Sequence, residues 1–130
     1  MTDSVPVRQS ILNYTTTIGV EQTVAEITRL LAQAKAQAIL TEFDEGMVSA
    51  LSFRIKTEFG VLTFRLPARV EQVYRVLARN PKIPPRLRTK DQAARVAWRI
   101  IKDWLEAQLA MIEAGLVDLE QVFLPYAQNA

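Results

Sequence analysis

The sequence contains neither cysteine nor histidine among its 130 residues. Without cysteine there is no disulfide framework, no thiolate nucleophile and no zinc or iron–sulfur site built on thiolates. Without histidine the chain lacks the side chain most often used for proton transfer near neutral pH and for metal ligation. Carboxylate, lysine, tyrosine and serine chemistry remains, together with hard metals such as magnesium bound through oxygen.

Long apolar runs and flexible linkers are also missing from the chain. No stretch approaches the roughly 18 apolar residues that a membrane-spanning helix needs. Residues 1–9 have neither the basic start nor the apolar run of a secretory signal, so we expect a cytoplasmic protein with no membrane contact. No repeat or Gly/Ser-rich linker divides the rest, which predicts a flexible stretch over residues 1–9 and one domain over residues 10–130.

The charged residues are distributed unevenly along the chain. Lysine and arginine number 16 against 14 aspartates and glutamates, for a net charge of +2. Residues 1–53 contain three basic and six acidic residues, residues 54–102 contain thirteen and three, and residues 103–130 contain none and five. The small net charge therefore conceals a strongly basic middle segment between two acidic ends.

The first half of the chain has the periodicity of strands and one helix. Ile11 to Ile18 alternates in β-branched and aromatic company, which predicts a first strand. From Val20 to Ala36 the apolar residues follow helical spacing and predict an amphipathic helix. Three more alternating or apolar segments, separated by short turn sequences, predict an antiparallel meander over residues 38–43, 48–57 and 62–66.

The second half is predicted to be helical. Val70 to Leu77 has the spacing of a short helix, and the prolines within Pro81 to Arg88 favour an extended connector. Thr89 and Gln92 form a capping-box signature that opens a long helix ending near Gly115. With a last short helix, the predicted fold is α+β in the order β-α-β-β-β-α-α-α. It has a four-stranded, mainly antiparallel sheet with helices packed on one face and a long penultimate helix.

The basic middle segment, residues 54–102, is the strongest candidate for a binding site. Arginine outnumbers lysine in it by nine to four, which suits bidentate contacts with phosphate. Polyanion binding through such side chains releases counterions and depends strongly on salt. The candidate nucleic-acid-binding residues are Arg54, Lys56, Arg65, Arg75, Arg79, Lys82, Arg86, Arg88, Lys90, Arg95, Arg99 and Lys102.

A different interpretation of these residues is that they are the solvated sides of amphipathic elements and pair with the acidic ends of the chain. Arg95, Arg99 and Lys102, for example, lie on a narrow arc of one predicted helix. Glu106 and Glu113 continue the same stripe. Spacing alone does not decide between a phosphate-binding surface and internal charge pairing.

The aromatic residues do not favour sequence-specific base recognition. Phe53 and Phe64 share the parity of the apolar strand residues, and Trp98 belongs to the apolar stripe of the long helix, so all three are expected in the core. Trp104 lies at the edge of that stripe, where we expect it to pack on other residues. Binding is therefore expected to involve phosphates more than bases.

Glu42, Asp44 and Glu45 form the densest group of carboxylates. A metal-dependent nuclease needs two or three converging carboxylates with a lysine nearby. The sequence Asp44-Glu45-Gly46 is more typical of a hairpin turn. The chain also contains no Gly-rich phosphate loop and no nucleophile elbow, so we expect no catalytic residue, no metal and no cofactor.

The carboxyl-terminal stretch from Val117 to Tyr126 is both apolar and acidic. It is expected to fold back on the core as a capping helix. The alternative is a surface, with Leu119, Phe123 and Tyr126 as partner-binding residues, that docks another protein or a second copy of the chain. A homo-oligomer formed head to tail in this way could be a ring or a filament.

Residues 20–102 resemble two folds of nucleic-acid-binding proteins. The α-β-β-β-α order, with Thr89-Lys90-Asp91-Gln92-Ala93-Ala94-Arg95-Val96-Ala97 opening the later helix, resembles a double-stranded-RNA-binding domain. The helix over Arg69 to Arg79 and the leading strand depart from that fold. The same order is similar to the core of single-strand annealing proteins, a resemblance that implies oligomeric rings binding DNA.

A more local resemblance covers Arg86 to Tyr126. Three segments in this range resemble parts of small uncharacterised proteins encoded by phages and prophages. They are Arg86-Leu87-Arg88-Thr89, Val96-Ala97-Trp98-Arg99-Ile100-Ile101-Lys102-Asp103-Trp104 and Val117-Asp118-Leu119-Glu120-Gln121-Val122-Phe123-Leu124-Pro125-Tyr126. The resemblance implies a phage-associated setting and carries no activity or site residues.

These observations predict a non-enzymatic protein that binds DNA or RNA through phosphate contacts, in phage-type DNA metabolism or its regulation. The alternative is a protein-interaction module, such as a phage protein that binds a host complex through the acidic, apolar carboxyl terminus.

Overall fold

The computed structural model describes residues 10–128, so the stretch expected to be flexible, residues 1–9, lies outside it. No helix in the described part is long and apolar enough to cross a membrane. The elements, in chain order, are α1 Val20–Gln33, β1 Ala38–Asp44, β2 Met47–Thr57, β3 Gly60–Pro67, α2 Val70–Ala78, α3 Lys90–Glu113 and α4 Leu119–Phe123. The fold is α+β, as the sequence predicts.

The strands form an antiparallel sheet in the order β1-β2-β3. Phe53 at the centre of β2 lies opposite Ile39 of β1 and Phe64 of β3. Glu45 and Gly46 join β1 to β2 with positive φ angles of 51° and 82°, the combination that a two-residue type I′ hairpin turn requires. Short turns of this kind explain why consecutive strands pair with each other.

Helices α1, α3 and α4 cover one face of this sheet. Their apolar sides meet the odd-numbered residues of β2 and the even-numbered residues of β3, in agreement with the predicted stripes. Trp98 of α3 is fully buried, and its indole N–H donates to the carbonyl of Val48 at 3.1 Å. The buried members of this main core are Ile27, Leu31, Leu51, Phe53, Ile55, Phe64, Leu66, Trp98, Leu105 and Phe123.

A second, smaller core lies between α2 and the start of α3. Leu77, Ile83 and Ala93 are fully buried in it, and Ile11 and Tyr14 of the amino-terminal segment pack against it. We call the part of the chain built on this core, residues 70–95, the α2 lobe. The lobe joins the rest of the fold through α3, which contributes residues to both cores.

The predicted first strand over residues 11–18 is wrong, and the described sheet has three strands rather than four. Asn13 has a φ angle of 67°, which interrupts an extended chain. The side-chain amide of Gln92 donates to the carbonyls of Tyr14 and Thr16, both at 2.9 Å. These backbone acceptors thus have a side-chain partner in place of a neighbouring strand, and the order begins α-β-β-β.

The connector between α2 and α3 is a chain of turns rather than the expected extended segment. The amide N–H groups of Lys82 and Ile83 donate to Asn80, and a short 3-10 helix spans Pro85–Leu87. Thr89 then caps α3 by accepting a hydrogen bond from the Gln92 N–H at 3.1 Å. Helix α3 has 24 residues, about 36 Å at 1.5 Å per residue, which confirms the long penultimate helix.

The carboxyl-terminal segment folds back on the sheet as a capping helix. The ring of Phe123 is 1% exposed and lies 5.3 to 5.9 Å from the rings of Phe53, Phe64 and Trp104. Tyr126 packs on Trp104, so Trp104 has the packing role expected of it. The prediction that Phe123 binds a partner is therefore wrong, because its side chain is buried in the core.

Leu119 and Tyr126, the other two residues of the predicted partner surface, are half-buried against the main core. Beyond them the Gln128 N–H donates to the carbonyl of Thr63 at 2.8 Å, and Ala127 bridges Phe64 at the outer edge of β3. The end of the described chain thus continues the sheet by one short contact.

Replacing Phe123 with alanine is expected to lower the free energy of unfolding by about 3 to 5 kcal/mol, because it removes a buried ring that contacts three others. Urea denaturation followed by tryptophan fluorescence measures the change. The control is Leu124→Ala: Leu124 is 50% exposed, and its loss is expected to change stability by less than about 0.5 kcal/mol. Small effects of equal size would contradict a core role for this segment.

Replacing Gln92 with leucine, a residue of similar size, is expected to cost about 1 to 3 kcal/mol because two carbonyls lose their donor. Amide hydrogen exchange over residues 11–18 should accelerate in the same variant. Gln33→Leu at the exposed end of α1 is the matched control and should leave exchange in that segment unchanged. Unchanged protection in Gln92→Leu would show that the amide does not hold the segment.

Candidate nucleic-acid interface

The twelve basic candidate residues fall into three groups in the structure. Four form ion pairs, two lie alone on the uncovered face of the sheet, and six belong to the α2 lobe. The four paired residues are Arg65, Lys90, Arg99 and Lys102. These four follow the interpretation in which basic residues neutralise acidic parts of the same chain.

Arg65 crosses the uncovered face of the sheet to reach Glu42. Its Nε and Nη2 donate to the two carboxylate oxygens at 2.9 and 3.2 Å, and Ser52 on the strand between them donates to the same carboxylate at 3.5 Å. The hydrogen bonds from Arg65 hold the pKa of Glu42 below its ordinary value, and Glu42 raises the pKa of Arg65. The pair fastens β1 to β3 across β2.

Arg99 and Lys102 turn toward α1 and share the carboxylate of Glu26. The Arg99 Nη1 lies 3.1 Å from Glu26 Oε1, and the Lys102 Nζ lies 3.8 Å from the same oxygen and 2.7 Å from Glu106. Burial raises the pKa of Glu26, but hydrogen bonds from Arg99 and Gln22 and the two positive charges outweigh burial and lower it. The basic arc predicted on the long helix is thus largely an internal contact.

Arg54 and Lys56 are exposed on the uncovered face, near the β2–β3 turn. Within residues 10–128 they form no ion pair. They lie four and six residues beyond Ala50, which faces Pro67 where the chain leaves the sheet for α2. At 3.3 Å per residue these positions are about 13 and 20 Å from that exit. The two sheet residues are therefore remote from the α2 lobe.

The α2 lobe carries the other six candidates, Arg75, Arg79, Lys82, Arg86, Arg88 and Arg95. The structure places none of the six in an ion pair with another described residue. Residues 72–90 contain six basic residues and no acidic one, and Glu71 and Asp91 flank the stretch. Lys90, the sixth basic residue of that stretch, pairs with Glu71 at 3.4 Å.

The lobe brings its basic residues onto one small body. Arg75 and Arg79 are exposed one helical turn apart on α2, so their Cβ atoms are about 6 Å apart. Lys82 and Arg86 are exposed on the connector, on either side of the fully buried Ile83. Because α2, the connector and α3 pack on the same second core, these charges are carried by elements that share one small core.

A cavity of about 380 Å³ lies at the border of the lobe and the amino-terminal segment. Its lining consists of Thr15, Thr16, Thr17, Arg86, Leu87, Gln92 and Arg95. The sequence indicates Arg86 and Arg95 as binding residues, but it does not indicate the three threonines, which it predicts to lie in a strand. The threonines and arginines are brought together by the hydrogen bonds from Gln92 to Tyr14 and Thr16, which are 78 and 76 positions away in the sequence. No local sequence pattern could have indicated this contact.

The carboxylates and the aromatic rings differ in what the structure places around them. Glu42 is held by Arg65, and Asp44 and Glu45 lie at the β1–β2 turn. No group of three or more metal-ligating side chains occurs among the described residues. Phe53, Phe64 and Trp98 are in the main core as expected, whereas Phe43 and Phe59, at opposite ends of the sheet, are each 65% exposed.

The strongest concentration of unpaired positive charge is therefore the α2 lobe, with the Arg86–Arg95 cavity at its border. Compared with protein-family models, with curated proteins and with solved structures, the chain matches none.

Proposed function

We propose that the protein binds nucleic acid through its phosphates, without catalysis, and that the α2 lobe is the contact surface. The observation that carries the proposal is a group of four exposed basic residues that form no ion pair with a described residue: Arg75, Arg79, Lys82 and Arg86. The positive charges of the lobe repel one another, and a bound polyanion relieves this repulsion.

Arginine dominates this surface, which favours phosphate over a general attraction to acidic proteins. The guanidinium group offers a planar fork that matches two phosphate oxygens at once. Each phosphate contacted also releases condensed counterions from the nucleic acid, so affinity falls steeply as salt rises. Phe53, Phe64 and Trp98 are buried and cannot stack on bases, and the exposed Phe43 and Phe59 lie at the two ends of the sheet, outside the α2 lobe.

The biological setting is part of the proposal and rests on the resemblance of residues 86–126 to phage-encoded proteins. Binding of DNA or RNA in phage-type nucleic-acid metabolism or its regulation fits a small protein whose basic surface contacts phosphates without a catalytic group. A surface that reads charge and shape accepts many sequences, as expected for a factor that coats or bridges nucleic acid.

The double variant Arg79→Gln/Lys82→Gln is expected to weaken binding and to lower the magnitude of the slope of log affinity against log salt by roughly 1.4 to 1.8, since each lost phosphate contact contributes about 0.7 to 0.9. Fluorescence anisotropy with single- and double-stranded oligonucleotides over a salt series measures both quantities. Arg29→Gln/Lys35→Gln is the matched control, because it removes the same charge from exposed positions of α1 and the loop after it.

An equal loss of affinity in the two double variants would mean that net charge, and not the α2 lobe, drives binding. A third double variant, Arg54→Gln/Lys56→Gln, determines whether the sheet contributes. Absence of any binding at about 50 mM salt, where electrostatic contacts are strong, would refute the proposed function.

A second candidate function is a protein-interaction module centred on α4. The observation that favours it is a pair of exposed leucines on either side of this helix, Leu116 at 69% and Leu124 at 50%, close to Asp118 and Glu120. This surface replaces the predicted one, whose Phe123 is buried. Its partner would offer an apolar and basic surface.

For this second candidate, a stoichiometric partner should remain bound to the protein in host lysate after nuclease treatment. Leu116→Ser/Leu124→Ser should abolish retention, whereas Leu40→Ser, at a position 63% exposed on β1, should not. Loss of all bound material on nuclease treatment would count against this function and in favour of nucleic-acid binding.

A further inference from the structure

The cavity between the amino-terminal segment and α3 has the chemistry of an anion site. Two of its lining residues are arginines, three are threonines and none is acidic. Arg86 is exposed and forms no ion pair within the described chain. Guanidinium and hydroxyl donors that line one cavity can hydrogen-bond several oxygens of a single anion.

Arg95 is held in place for such a role before any ligand arrives. Its Nε donates to the Oε1 of Gln92 at 2.9 Å, and Gln92 is only 2% exposed. The Gln92 Nε2 is occupied by the carbonyls of Tyr14 and Thr16, so its amide cannot turn away. The terminal Nη groups of Arg95 stay available, and a guanidinium fixed in this way loses little conformational freedom on binding.

Two acidic residues lie near Arg95 without neutralising it. Asp91, one helical turn earlier on α3, and Glu21 of α1 line a separate cavity that shares Arg95. Both are exposed, and neither forms an ion pair with it. The cavity proper therefore presents the charge of two arginines, Arg86 and Arg95.

The size of the cavity limits what can enter it. Its volume of about 380 Å³ is at the lower end of the range for small-molecule sites, about 300 to 1,000 Å³. A phosphate with its sugar fits such a space. A phosphomonoester carries a charge of about −1.5 to −2 at neutral pH and three free oxygens, which matches two guanidinium groups better than an internal phosphodiester does.

We propose that this cavity binds the terminal phosphate of a nucleic-acid strand. The inference rests on the proposed function and extends it: the open basic surface of the α2 lobe holds the strand by internal phosphates, and the Arg86–Arg95 cavity holds its phosphorylated end. The protein would then distinguish strand ends carrying a phosphate from ends carrying a hydroxyl, which an open basic surface does not do.

The test compares oligonucleotides of one sequence that differ only in their ends: 5′-phosphate, 3′-phosphate, or hydroxyl at both. Competitive anisotropy at a fixed salt concentration is expected to show a preference of at least about tenfold for one phosphorylated end, the value of a charge-assisted contact. A nucleoside monophosphate serves as competitor to distinguish a strand end from a free nucleotide.

Arg86→Gln is expected to abolish the preference for the phosphorylated end. Because Arg86 also belongs to the basic surface, the variant should weaken binding of the hydroxyl-ended strand about as much as Arg75→Gln does. Arg95→Gln, on α3 rather than on the connector, should do the same and provides a second variant. Arg75→Gln, outside the cavity on α2, is the matched control: it should weaken binding of all three oligonucleotides equally and keep the preference.

Equal affinity for all three ends would overturn the terminal-phosphate site, while salt-dependent binding of the hydroxyl-ended strand would leave the proposed function standing. A preference that survives in both Arg86→Gln and Arg95→Gln would also overturn it. Binding of the mononucleotide without binding of any oligonucleotide would refute both the strand-end site and the proposed function.

Discussion

The side-chain amide of Gln92 is the interaction on which the arrangement of the basic surface depends. It is almost completely buried, and each of its polar atoms has a partner: two carbonyls of the amino-terminal segment and the guanidinium of Arg95. A buried amide is stable only when satisfied in this way. One residue of α3 thereby fixes the position of Ile11 and Tyr14 against the second core, and that core supports the α2 lobe.

Much of the fold is predictable because its helices and strands each bury one side. The stripes of α1 and α3 and the alternation in β2 predict the residues of the main core, including Phe53 and Trp98. Residues 11–18 alternate equally well and are not a strand. Alternation indicates only that one side of a segment is buried, whereas a strand also needs a neighbouring strand to pair with its backbone. Here the side chain of Gln92, 76 residues from Thr16, supplies the hydrogen bonds instead.

The candidate site is predictable to a smaller extent. The lack of acidic residues from 72 to 90 is visible in the sequence, and it corresponds to the surface where positive charge is unpaired. The pairing of Arg99 with Glu26 could not be predicted, because it depends on two helices packing side by side at a separation of 73 residues. Arg65 and Glu42 likewise meet only because β1 and β3 flank the same central strand. Long-range packing decides which basic residues remain available.

The two edges of the sheet differ in how much of their backbone is paired. The outer edge of β3 is met by Ala127 and Gln128, whereas no described residue pairs with the outer edge of β1. A strand with unpaired backbone groups can accept another strand from a neighbouring molecule. Within residues 10–128, the short contact of Ala127 and Gln128 interrupts the β3 edge near its middle, whereas the β1 edge stays open over its whole length. A strand from a neighbouring molecule would therefore find a longer row of free backbone groups on β1 than on β3.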